Sequence, residues 1–166
     1  KALDFLPINS IKNGGITEQL QVFINGVNNY FQQISKNEIT VGTPYLVENT
    51  KPAAKDYTGI IGISGISEGI VYFTAPKDLL ERMLVMLGER DLSEINMIDL
   101  VGEVANTISG NARSEFGENF DISVPFVIKG APDEITLPRK DRSYVIPVEW
   151  CERKASIVVA LRKKLN

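Results

Sequence analysis

The sequence predicts an α+β fold, a two-layer α/β sandwich in which two long helices pack on a mainly antiparallel sheet. Three observations point there. Two segments, 16–35 and 93–117, carry apolar residues at three- and four-residue steps, the spacing of one face of a helix. Stretches rich in Val, Ile, Tyr and Phe, at 38–48, 59–75, 121–129, 143–150 and 155–162, are bounded by Gly, Pro, Asn or Asp, as strands are. Short turns join several of them directly, which suits antiparallel pairing with the helices on one face. The 166 residues fit one domain with a sizeable core. We expect that domain to span 15–166, with 1–14 as a peripheral N-terminal segment.

The first helix, 16–35, places Leu20, Phe23, Ile24, Val27, Phe31 and Ile34 on one stripe, with Thr17 as its expected N-cap. A strand over 38–48 follows, then a polar loop from Asn49 to Asp56 that holds Pro52. Residues 59–75, GIIGISGISEGIVYFTA, read as two strands joined by a tight turn around Ser67-Glu68-Gly69. Gly62, Gly65 and Gly69 invite a phosphate-loop reading, but no Lys-Ser or Lys-Thr pair follows and the spacing is not G-x-G-x-x-G. Pro76 opens a short helix at its first position and Gly88 closes it, with Met83 and Met86 as core filler. The second long helix starts near Ser93 or Asn96 and ends by Gly117. Strands at 121–129, 143–150 and 155–162 complete the chain. A proline-containing loop over 130–141 precedes the last two, which a turn through Glu152-Arg153-Lys154 joins as a hairpin.

Composition excludes whole classes of function. The net charge is −3, and no basic run exceeds Arg162-Lys163-Lys164, so nothing marks a nucleic-acid footprint. No apolar segment approaches the roughly 20 residues needed to cross a bilayer, and no signal peptide is visible. The single cysteine, Cys151, allows no internal disulfide and suits a reducing cytoplasm. There is no histidine, which removes His-based triads, phosphohistidine chemistry and His-ligated zinc. Cysteine-phosphatase chemistry fails as well, because Ile157 stands six residues after Cys151 where that loop needs arginine. No Asp-x-Asp-x-Thr occurs for an aspartate nucleophile. Cys151 reads as a structural residue at a strand end. Any catalysis must use carboxylates, amides, hydroxyls, lysines or arginines.

The stretch 99–117, DLVGEVANTISGNARSEFG, poses the functional question. At about 100° per residue, Val101, Val104, Ala105, Ile108 and Ala112 gather on one side of the helix. Asp99, Glu103, Asn106, Gly110 and Arg113 gather on the other, within an arc of roughly 80°. A solvated face explains part of this, since Asp99 and Glu103 suit the N-terminal half and Arg113 the C-terminal end of the helix dipole. It does not explain Gly110. Glycine costs about 1 kcal/mol in a helix interior, and only a closely approaching backbone rewards it. On the first helix, Gln21, Asn25, Asn28 and Gln32 repeat the same four-three-four steps, with Asn25 in the place of Glu103. The parallel hints at an internally duplicated plan with one complete and one degenerate constellation.

The wording GEVANTISGNA, 102–112, resembles the chemotaxis phosphatase family that includes CheC, CheX and FliY. Its signature is an acidic residue or serine, then Glu after three residues, then Asn after two more. Asp99, Glu103 and Asn106 match it, and Pro125 in ISVPFVI fits the strand that follows. The likeness runs from the first helix to strand 155–162. CheC-like members carry two such motifs and CheX-like members one, so Asn25 puts this chain on the CheX side.

The resemblance implies a CheC-like fold and hydrolysis of the aspartyl-phosphate on a CheY-type response regulator. Asn106 would position the attacking water, and Glu103 would pair with a lysine of the partner. Asp99, Gly102, Gly110 and Arg113 would contact the partner, the glycines letting the helix come close. The resemblance implies no cofactor or metal of the protein's own, with Mg²⁺ carried by the phosphorylated receiver. It also implies a cytoplasmic homodimer joined at sheet edges, and the apolar terminal strand SIVVALRK is the kind of edge that needs covering. Two other readings stand beside it. One is a non-enzymatic module of the same fold that binds a response regulator or another signalling protein. The other is a small-molecule domain built on the glycine-rich hairpin 59–69, indifferent to Asn106.

Overall fold

The computed structural model describes residues 14–36, 39–47, 55–129 and 143–163. The expected N-terminal segment, most of the loop at 49–56 and the loop at 130–141 lie outside the described residues. Three helices and eight strands follow one another as α1 (Gly14–Ile34), β1 (Thr40–Val41), β2 (Tyr45–Val47), β3 (Tyr57–Gly65), β4 (Ser67–Ala75), α2 (Lys77–Met86), α3 (Glu94–Phe116), β5 (Phe120–Ile122), β6 (Phe126–Lys129), β7 (Ser143–Trp150) and β8 (Arg153–Lys163).

The strands form one sheet in the order β1-β7-β8-β4-β3-β5, with β2 also on β7 and β6 also on β3. Every pairing is antiparallel. This order has a two-fold logic. Each half is a helix, a broken strand and a hairpin, namely α1 with β1–β4 and α3 with β5–β8. The broken strand of each half pairs with the first hairpin strand of the other, and the hairpins meet at β4–β8. The duplicated plan hinted at by the polar steps is therefore visible in the topology. Among the described residues, α2 has no counterpart.

The same topology corrects one expectation. The terminal strand SIVVALRK is not an edge, because β8 is paired on both sides, by β4 and β7. The strands expected over 38–48 and 121–129 are each broken in two, at Gly42-Thr43-Pro44 and Ser123-Val124-Pro125, where proline has no N–H to give a ladder. The first hairpin turns at Ile66 rather than around Ser67-Glu68-Gly69, since Ile63 already pairs with Gly69. Gly65 makes the turn with φ +102°, a left-handed conformation that glycine adopts without strain. The second hairpin turns on Cys151-Glu152, both at positive φ, so Arg153 and Lys154 belong to the strand. Helix α1 starts at Gly14, which leaves Thr17 inside it. Pro76 is the N-cap of α2 rather than its first helical residue, and the Lys77 N–H is taken by the Asp56 carboxylate at 2.8 Å.

The core lies between the helices and one face of the sheet. Leu20, Phe23, Val27 and Phe31 of α1, Leu79, Leu80 and Met83 of α2, and Val101, Val104, Ala105, Ile108 and Ala112 of α3 share it with Ile61, Phe73, Ile146 and Ile157. Met86, expected as core filler, is instead 39% exposed at the end of α2. Strand alternation sends Ile60, Tyr72, Val145, Val158 and Ala160 to a second, smaller cluster on the opposite face. Helices α1 and α3 run antiparallel and in contact. The Phe23 and Phe116 rings lie 6.3 Å apart, while Gly26 faces Ile108 and Asn111. Under α3, a Cβ on Gly59 of β3 would come within 2.5 Å of the Val101 carbonyl oxygen, so this glycine lets the helix lie flush on the sheet.

Candidate functional site

Helix α3 is fixed at its start by a small polar clamp. The Tyr57 hydroxyl of β3 donates to Glu94 Oε1 at 3.0 Å, and Lys129 Nζ of β6 lies 2.8 Å from the same oxygen. Lys129, and then the Tyr57 hydroxyl, hold the Glu94 carboxyl below its ordinary pKa. The clamp ties the first turn to two strands, and burial of the apolar stripe sets the rotation of the helix.

That rotation splits the helix as its periodicity predicts. Val101, Val104, Ala105, Ile108 and Ala112 are buried, while Asp99, Glu103, Asn106 and Arg113 are exposed and Gly110 is half-buried beside them. The side chains of Asp99, Glu103 and Asn106 make no hydrogen bond or ion pair among the described residues. Glu103 nevertheless acts on its surroundings. Tyr30 of α1 is 6% exposed, and burial pushes its phenol well above the ordinary value, with the Glu103 charge raising it further.

The two glycines of the motif part company. Gly102 is buried, and a Cβ there would sit 3.2 Å from Val127 Cγ2 and 3.7 Å from Pro125 Cβ. The expectation that it admits a partner is therefore corrected, because it admits β6 of its own chain. Gly110 is different, since nothing would meet a Cβ there within 4 Å. No contact among the described residues accounts for it.

The ridge stands between two clefts. One, of about 200 Å³, is lined by Leu84, Leu87 and Glu89 from the end of α2 with Asn96, Asp99, Leu100 and Glu103. The other, of about 380 Å³, is lined by Gly110, Arg113, Ser114, Gly117, Glu118 and Ile122. A protruding line carrying a carboxylate and an amide one helical turn apart, with open ground on both sides, has the shape of a probe rather than of a pocket. It can enter a cavity on another molecule and orient a group there, the amide offering both a donor and an acceptor. Among the described residues, no three His, Cys, Asp or Glu side chains converge as a metal site. The sequence reading did not single out Tyr30, the Glu94 clamp or the α2 end. Tyr30 alone carried a signal, three residues after Val27 on the same stripe.

The family described as chemotaxis phosphatase CheX matches residues 57–149. Among solved structures, the chemotaxis protein CheX of Desulfovibrio desulfuricans is 28% identical over 89% of this chain and 99% of its own, with a TM-score of 0.73. The chemotaxis protein CheX of Vibrio vulnificus is 26% identical over 87% and 99%, with a TM-score of 0.74. The CheX–CheY–BeF3–Mg²⁺ complex of Borrelia burgdorferi matches at 20% identity over 87% and 98%, with a TM-score of 0.72, and shares the fold. No curated protein matches the sequence.

Proposed function

This chain belongs to the chemotaxis phosphatase CheX family, and we propose that it hydrolyses the aspartyl-phosphate of a CheY-type response regulator with Glu103 and Asn106 as its working residues. The observation that carries the reading is the Glu103–Asn106–Gly110 ridge, whose Glu103 and Asn106 side chains are exposed and make no hydrogen bond or ion pair among the described residues, and which is bare of a side chain at half-buried Gly110. The Borrelia CheX, captured with CheY, BeF3 and Mg²⁺, supports the choice of partner.

The chemistry asks little of the phosphatase. An acyl phosphate is already activated, and water must only attack phosphorus in line as the bond to the aspartyl oxygen breaks, leaving a carboxylate and inorganic phosphate. The Asn106 amide holds that water, with its oxygen accepting and its N–H groups free for the phosphoryl oxygens. Glu103, one turn earlier on the same line, pairs with a lysine of the receiver and fixes the register of docking. Gly110 lets the next turn of the helix approach the receiver backbone, and Asp99 and Arg113 flank the contact. The Mg²⁺ belongs to the phosphorylated receiver. We also expect a cytoplasmic homodimer joined at sheet edges, which are β1–β2 on one side and β5–β6 on the other.

The test follows loss of label from a phosphorylated CheY-type receiver with Mg²⁺, with wild-type protein and with Glu103→Ala. Wild type should accelerate the loss, and Glu103→Ala should raise KM by about tenfold, as loss of a charge-assisted contact does. Absence of acceleration across the receivers of the same organism would contradict the reading and leave a binding module.

A further inference from the structure

Eight large apolar side chains are exposed among the described residues, and five of them, Val85, Met86, Leu87, Leu92 and Ile95, fall within eleven consecutive positions. Their exposures run from 38% at Leu92 to 71% at Ile95. The core does not need them, because Leu79, Leu80, Met83 and Leu84 already bury the inner face of α2. Among the described residues, α2 stands outside the helix, broken strand and hairpin that recur in the two halves. It stands beside α3, the helix with the complete constellation, and the cleft between them joins Leu84 and Leu87 to Asp99 and Glu103.

The segment is also held rigidly. The N–H groups of Leu87, Gly88 and Glu89 return to the carbonyls of Met83, Val85 and Leu84 at 2.9, 3.0 and 2.9 Å, with Gly88 at φ +81° closing the helix. Glu89 Oε1 accepts the Arg90 and Asp91 N–H groups, and the Asn96 amide donates to the Asp91 carbonyl at 2.8 Å, tying the turn to α3. A preordered apolar surface next to a polar working edge is what a docking site requires.

We propose that the end of α2 and the turn after it form a docking shelf for the same receiver that presents its aspartyl-phosphate to Asn106. The shelf takes an apolar patch of the receiver fringed by lysine or arginine. The charge of the cleft favours that chemistry, because Glu89, Asp99 and Glu103 rim it and no basic residue lines it among the described residues, with Arg90 standing exposed in the turn beside it. The inference rests on the phosphatase reading for the identity of the partner, and it assigns α2 the task of selecting the receiver while α3 acts on it.

The experiment compares wild type with Val85→Gln/Leu87→Gln, Val85→Lys/Leu87→Lys and Glu89→Lys. Each is titrated against a beryllofluoride-activated CheY-type receiver with Mg²⁺ and then assayed for turnover over a range of phosphorylated receiver. The Gln pair should raise Kd and KM by about tenfold with kcat unchanged, as loss of an apolar anchor does. The Lys pair should raise them further, and Glu89→Lys should raise Kd and KM together with kcat unchanged. Unaltered circular dichroism and melting are expected for both pairs, since Val85 and Leu87 are exposed, whereas Glu89→Lys gives up the acceptor of two turn N–H groups and is read together with its melting curve. Unchanged Kd and KM in both pairs would overturn the shelf. Wild type that binds the receiver without turning it over would overturn the phosphatase reading, while weakened binding by the pairs would still uphold the shelf. A wild type that binds no receiver at all would overturn both.

Discussion

Helices α1 and α3 carry polar residues at the same four-three-four steps, lie antiparallel against each other and occupy equivalent places in the two halves of the sheet. They differ in what the chain has done with those residues. On α1, the Gln21 amide donates to Asn25 Oδ1 at 2.8 Å, so the ridge is partly closed on itself. Gln32 stands in the place of Gly110, Gly26 lies on the buried side of α1 against Ile108 and Asn111 of α3, and Asn28 is half-buried. On α3 the corresponding side chains are left to solvent, and the glycine of that ridge, Gly110, faces open space. What separates the two ridges is how far their own chain satisfies them, more than residue type or spacing, and that difference is why we propose the α3 ridge as the working surface.

The comparison can be broken most severely from below. Val104 is fully buried directly behind the ridge, and Val104→Asp should cost roughly 3–5 kcal/mol in a denaturant titration, as an uncompensated buried charge does. A loss below about 1 kcal/mol would mean the two faces of α3 are misassigned.

The two motif glycines give a finer test. Gly102→Leu should destabilise by about 1–3 kcal/mol, because Val127 and Pro125 already fill its surroundings. Gly110→Leu should leave stability unchanged or raise it by up to about 1 kcal/mol, while weakening capture of a beryllofluoride-activated receiver. Equal effects on stability would erase the distinction between a packing glycine and an approach glycine.

The smallest effect probes whether α1 can be revived. Asn25→Glu recreates the Glu-x-x-Asn spacing with Asn28, yet turnover should change by no more than about twofold. Asn28 is half-buried, and no α2-like neighbour stands beside α1. A gain of about tenfold would show that spacing alone makes the site.

Much of this was legible in the sequence. The apolar stripes of both long helices and the polar face of α3 follow from periodicity, since Leu20, Phe23, Val27 and Phe31, like Val101, Val104 and Ile108, have no other way to be buried together. Turn positions were less legible. Ser67-Glu68-Gly69 has turn chemistry, but cross-strand pairing places Gly69 in a ladder and moves the turn to Ile66. The sheet position of β8 was illegible, because an apolar run reads the same whether a strand is central or terminal. Gly102 and Gly110 look alike in the motif, and only the position of β6 separates them. Tyr30 and the α2 end approach Glu103 through tertiary packing, which no local pattern records.

The most direct test sets the two asparagines side by side. Single-turnover loss of phosphate from a CheY-type receiver with Mg²⁺ would be followed with wild type, Asn106→Ala and Asn28→Ala at equal concentration. Asn106→Ala should lose about 10²- to 10³-fold in rate with its melting temperature unchanged, and Asn28→Ala should stay within about twofold of wild type. An Asn106→Ala variant that turns over as fast as wild type, or an Asn28→Ala variant that loses as much, would contradict the assignment of the chemistry to the unsatisfied ridge of α3.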